Sequence, residues 1–312
     1  MLPALPTPLV ALFCKNEPNS RRFWEFFTAH IRNHHTRRAY FQAASRFAVW
    51  CDERKLGLDT VQPFHVAAYI EQLLLTHSRP TVKQHLAALR VLFDWLVVGQ
   101  VMTSNPAASV RGPRYSVKRG KTPVLAPEEV RTLLASIDTT SLLGLRDRAL
   151  VAVMAYTFAR VGAVQALRVR DYYIQGRRGW LRLQEKGGKV NEVPCHHHLE
   201  QYLDEYLDVA SLRQQPDALF FPGFRNTRLT SNLLSQSNVH AMLQRRAIAA
   251  GIRTRISCHS FRATGITTYL LGGGRLEIAQ QMAGHESSRT TGLYDRRDDR
   301  IAREEVERIR FE

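Results

Sequence analysis

Apolar residues recur at helical spacing through most of this chain and at strand spacing in one short region. In Thr36–Trp50, Tyr40, Ala43, Ala44, Phe47 and Trp50 fall on one face, which predicts a helix capped by Thr36. A second helix is expected over Phe64–Leu75, after Pro63. A third begins after Pro80 and places Leu86, Leu89, Leu92, Phe93 and Leu96 on one side. Asn105-Pro106 closes this region, which reads as a small all-helical domain with Arg37, Arg38, Lys83, His85 and Arg90 on its polar faces. Helical spacing resumes at Pro127-Glu128-Glu129, a start with proline and acids in the first turn, and continues through Leu145–Phe158 and Val161–Leu167. The period then shortens. Trp180 to Gln184 alternate like a strand, Lys186-Gly187-Gly188-Lys189 turns, and Val190 to Val193 return, so a β-hairpin with lysines at its tip is expected. From Asn238 onward the pattern is helical again, ending in a narrow stripe of Ala302, Val306 and Ile309.

Composition and charge narrow the classes. The chain has 312 residues and a formal charge of +16, enough for two domains with their own cores. Residues 111–122 (RGPRYSVKRGKT) carry Arg111, Arg114, Lys118, Arg119 and Lys121 with no acid, and read as an extended basic linker. The segments on both sides are basic too, so a polyanion is attracted along the whole length; nucleic acid is the natural partner, and a merely soluble basic protein the alternative. No apolar run is long enough for a membrane span. The start, broken by Pro3, Pro6 and Pro8, is a poor signal peptide. Cys14, Cys51, Cys195 and Cys258 are scattered without a CxxC, as expected of reduced thiols in a cytoplasmic protein. Cys195-His196-His197-His198 invites a zinc reading, but on a strand neighbouring side chains alternate faces and could not converge, so no metal is expected.

The candidate chemistry lies in the second half. Arg160 ends an apolar helix and Lys186 stands at the hairpin tip. His259 and Arg262 share a helical face at i, i+3. His285 follows Gly284, and Tyr294 comes nine residues later. These residue types suit phosphodiester transfer. Two guanidiniums match the charge on non-bridging oxygens, a histidine moves a proton near neutral pH, a lysine protonates a leaving oxygen, and a tyrosine serves as covalent nucleophile. No Walker loop or carboxylate cluster is present, and no cofactor is expected.

As a set, these residues resemble the tyrosine recombinases, the phage-integrase and Xer-like family. The family's pattern HxLRxT…G…Q…GH…TT…Y is matched by His259-Ser260-Phe261-Arg262-Ala263-Thr264, Gly274, Gln281, Gly284-His285, Thr290-Thr291 and Tyr294. Its TGLR box matches Thr157 to Arg160, and its GKGxK…P hairpin matches Lys186 to Lys189 and Pro194, which selects Lys186 over Lys189. Thr36, Tyr40, Thr81, Leu86, Leu89 and Asn105-Pro106 resemble its helical core-binding domain.

The resemblance implies a mainly α fold with a small β-hairpin or sheet in the C-terminal domain. Its parts are an N-terminal tail (1–17), a helical DNA-binding domain (18–110), the linker (111–123), an α+β catalytic domain (124–297) and a C-terminal helix (298–312) that either docks on a neighbouring protomer or packs on its own domain. It implies site-specific recombination through a 3′-phosphotyrosyl intermediate and a Holliday junction, by a homo-tetramer or with a second recombinase. Tyr294 is then the nucleophile, Arg160, Arg262 and His285 hold the phosphate, His259 assists proton transfer and Lys186 is the general acid. Arg37, Arg38, Lys83, Arg90 and the linker cations would contact DNA. The alternatives are a non-catalytic DNA-binding regulator on the same scaffold and a topoisomerase that nicks and reseals. Two departures from the pattern matter: Phe158 replaces the usual glycine, and Ala163 the usual acid that supports the arginine.

Overall fold

The computed structural model describes residues 7–117, 120–185, 187–226, 228–297 and 307. The chain divides between Ser116 and Val117 into two compact units. In the first, α1 (Thr7–Phe13), α2 (Glu17–Glu25), a π-helical turn (Phe26–His30), α3 (His34–Asp52), α4 (Pro63–Thr76) and α5 (Arg79–Val98) share one core. The expected tail thus contains a helix whose Leu9, Leu12 and Phe13 are buried, because three apolar residues within two turns outweigh the flanking prolines. Asn33, not Thr36, caps α3, its side chain accepting from the backbone N–H groups of His35 (3.0 Å) and Thr36 (3.1 Å). His85, expected on a polar face, is buried on α5, where its Nδ1 shares a hydrogen bond with the Tyr69 hydroxyl of α4 (3.2 Å).

The second unit opens with α6 (Pro127–Ala135), where Glu129 reaches back to the Ala126 N–H (2.9 Å). Helix α7 (Leu142–Thr157) is capped by Ser141 and buried nearly all round. Then follow α8 (Val161–Ala166), the antiparallel sheet β1 (Tyr172–Gln175), β2 (Arg178–Gln184) and β3 (Val190–Pro194), and α9 (His197–Val209). Leu181 pairs with Val193 across β2 and β3, and both face the core, as the alternation predicts. Gly187 (φ 83°) and Gly188 (φ 77°) turn the hairpin in a backbone region that other residues rarely enter. A second small ribbon, β4 (Pro222–Arg225) and β5 (Arg228–Leu233), precedes α10 (Gln236–Ala249), α11 (Cys258–Leu271), α12 (Leu276–Met282) and the short α13 (Ser288–Gly292).

The buried Asp147 carboxylate accepts from Arg146 and from Arg246, joining α7 to α10 by charge inside the core. Gly272 ends α11, so the run Gly272-Gly273-Gly274 is a helix stop. Among the described residues no helix is long and apolar enough to cross a membrane. The expected C-terminal helix, with Ala302, Val306 and Ile309, lies outside the described residues.

Candidate active site

Four chain segments meet where α7 ends. The first is the turn Phe158–Arg160. Phe158 terminates α7 in the left-handed region (φ 58°, ψ 19°), the conformation for which glycine is the usual choice. Its ring is buried with Ala263, Ile266, Leu270 and Tyr294. Gly265 makes room for it, since a Cβ there would lie 2.5 Å from Cδ1 of Phe158. Arg160 follows as the N-cap residue of α8, and its Nη1 donates to the Glu185 carboxylate at the neck of the hairpin.

The second segment is α11. Arg262 is 1% exposed, and its guanidinium donates to the carbonyls of Phe158 and Ala283, so it forms the floor of the site. Thr264 accepts from the Leu125 N–H (2.9 Å), and Thr267 donates to the Tyr294 carbonyl (2.9 Å), fixing the helix against its neighbours. The third is the Gly284–His285 turn after α12. Gly284 sits at φ 56°, and the His285 Nδ1 shares a hydrogen bond with the Thr291 hydroxyl (2.9 Å). Gln280, rather than the motif's Gln281, donates to the His285 carbonyl (3.2 Å). The fourth carries Tyr294. Its hydroxyl shares a 2.8 Å hydrogen bond with His259 Nε2, and its ring stacks on His285 at 5.9 Å and 8°.

The electrostatics follow from burial around fixed cations. Burial, then the charges of Arg262 and Arg160, lower His259 below its ordinary value; the same causes take His285 down to about 4. Both rings are therefore neutral near pH 7. Burial raises the Tyr294 hydroxyl, and Arg262 and Arg160 oppose that rise. Burial, then repulsion from Arg160, brings Arg262 down to about 10, still protonated near neutrality. A neutral imidazole thus touches a phenol beside two guanidiniums. That arrangement can accept a phenolic proton and attract an anion.

The structure brings together Arg160, His259, Arg262, His285 and Tyr294. Lys186 lies outside the described residues, as do Lys118 and Arg119. Lys189, its rival at the hairpin tip, pairs instead with Glu286 (2.9 Å). Of the expected DNA contacts, Arg38, Lys83, Arg111, Arg114 and Lys121 are exposed. Arg37 donates to the Ile31 carbonyl (2.9 Å), and Arg90 to the carbonyls of Ala107 and Val110, so these two brace the fold rather than stand free on a polar face. The linker also bears on the site: Gly120 donates to the Leu293 carbonyl (2.7 Å) and accepts from Arg296 (2.9 Å), on either side of Tyr294.

The three histidines do not diverge along a strand. His196 caps α9 and the other two begin it, and a ring nitrogen from each lies within 4.8 Å of the others on the exposed surface. A helix start gathers side chains that a strand would separate. His196 and His198 line a depression with Arg131 and Arg148, which pair with Glu128 and Glu205. Sequence patterning missed Glu185 and Thr267. An acid beside Lys186 was the available signal for the first; the second carries none.

A buried arginine floor beside a second guanidinium and a histidine-bound tyrosine, on a helical domain with two small antiparallel sheets, is the arrangement of a DNA strand-transfer enzyme of the tyrosine recombinase class. Residues 123–300 match the phage integrase family, and residues 22–99 match the phage integrase N-terminal SAM-like domain. The chain belongs to the phage integrase family and is a tyrosine recombinase of the Xer and integrase type. It is 31% identical over 228 residues to the tyrosine recombinase XerC of Chlamydia muridarum (strain MoPn / Nigg), covering 72% of this chain and 69% of that protein. The fold is similar to that of the XerH site-specific recombinase bound to difH in a pre-cleavage complex. That match has TM-score 0.69 at 18% identity and covers 98% of this chain and 97% of the other. A lambda integrase tetramer bound to a Holliday junction gives TM-score 0.65 at 17% identity, covering 90% and 78%.

Proposed function

We propose that Tyr294 cleaves one strand of duplex DNA at a specific site by attacking the scissile phosphorus. The bond to the 5′-oxygen breaks, and a 3′-phosphotyrosyl ester remains. The phenolic proton passes to neutral His259, already in contact with the hydroxyl. Arg160 and Arg262 balance the charge on the non-bridging oxygens, and His285, with Nδ1 engaged by Thr291, has Nε2 for one of them. Lys186 donates the proton to the leaving 5′-oxygen. Attack by the 5′-hydroxyl of a partner strand reverses the step and exchanges strands through a Holliday junction. A tetramer of this chain, or one mixed with a second recombinase, on two DNA sites in the cytoplasm is the assembly proposed, by likeness to the junction-bound integrase. The exposed cations Arg38, Lys83, Arg111, Arg114 and Lys121 are the proposed backbone contacts.

The observation that carries this reading is the 2.8 Å contact of the Tyr294 hydroxyl with His259, over a floor made by Arg262. A nicked suicide substrate bearing the cognate site tests it. Wild type is expected to give a protein–DNA adduct on a denaturing gel, and Tyr294→Phe none. Salt-sensitive binding without an adduct would mark a regulator instead, and an adduct that relaxes supercoils without exchanging strands a topoisomerase.

A further inference from the structure

In the family pattern, an acid three residues after the first arginine supports it; here that position is Ala163, buried among apolar side chains. The carboxylate that Arg160 meets comes from a different element. Glu185, directly after β2, accepts from Arg160 Nη1, and its side chain is 3% exposed against 36% for the arginine. An ionised carboxylate is costly to bury unless it is paired, so this contact differs in kind from the surface ion pairs of the molecule. Glu185 is also held in place: its N–H donates to the Lys189 carbonyl (2.7 Å), closing the hairpin neck. Its Cγ lies 3.6 Å from where a Cβ on Gly284 would stand, beside His285. In the GKGxK hairpin pattern the residue before the lysine is glycine, and this chain has Glu185 there.

We propose that Glu185 is the positioning residue of Arg160, a carboxylate supplied by the hairpin in place of the one missing at Ala163. A guanidinium carries five N–H donors in a rigid fork, so with Nη1 on Glu185 the Nε and Nη2 groups remain for phosphate oxygens. The assignment rests on the cleavage reading above.

The test is the rate of adduct formation on the suicide substrate, with thermal melting recorded for every variant. Glu185→Gln is close to isosteric and is expected to slow cleavage about 10- to 100-fold, the scale on which a misplaced group acts, with little change in melting. Glu185→Asp, which keeps the charge, is expected to retain more activity than Glu185→Gln. On an Arg160→Ala background, Glu185→Gln should add little further loss, because both changes remove one function. Wild-type cleavage by Glu185→Gln, or losses that multiply in the double variant, would overturn the proposal and leave the cleavage reading standing. No adduct from wild type would overturn both.

Discussion

Phe158 shows how one residue can break a local rule and be compensated at a distance. A left-handed phenylalanine costs roughly 1–2 kcal/mol relative to an allowed conformation. Burying its ring over Gly265 returns more, since Phe→Ala changes in cores cost about 3–5 kcal/mol. Phe158→Gly, which restores the family's usual residue, is therefore expected to destabilise the protein by roughly 2–3 kcal/mol in a urea titration. A gain in stability would show that strain outweighs packing. The same turn supplies the carbonyl that Arg262 binds, so the ring's seat and the floor of the site are one structure.

Between elements, the contact of Tyr69 on α4 with His85 on α5 links stability to pH. Burial, then the charges of Arg46 and His77, bring His85 down to about 4, so the folded first unit holds it neutral. The unfolded chain takes up that proton below about 6.5, so unfolding gains protons as pH falls. Stability is full above about pH 6.5 and is lost as pH drops toward 4, by a few kcal/mol from this residue alone. His85→Gln should flatten that part of the pH–stability curve, measured by denaturant titration between pH 4 and 7. In the catalytic unit, His259 and His285 are lowered by burial beside arginines and contribute in the same direction. A neutral imidazole can accept a proton or donate a hydrogen bond to an oxygen.

At the scale of the whole chain, a net charge of +16 spread over both units and the linker favours neutralisation of DNA phosphates. Binding of Tyr294→Phe to its site, which removes the complication of cleavage, is expected to weaken steeply with salt. Replacing Arg111, Arg114 and Lys121 together by Gln should reduce the slope of log K against log[salt] by about 0.9 for each phosphate no longer neutralised. An unchanged slope would remove the linker from the interface. Gly120 ties the end of that linker to Leu293 and Arg296, on both sides of Tyr294.

The amphipathic spacing of α3, α4 and α5, the alternation of β2 and β3, and the ordered set from Arg160 to Tyr294 are local patterns, and the chain alone determined the fold class, the family and which residues to look for in the site. Local patterns depend on neighbours within a turn or a strand. The three-dimensional arrangement decided the rest. It buried His85 and engaged Arg37 and Arg90 with carbonyls, because a polar face in projection can still meet another segment. It gathered His196 to His198 at a helix start. It also brought Glu185 to Arg160 across 25 positions, a pairing that no spacing rule encodes, because it exists only where the hairpin neck folds back against the end of α7.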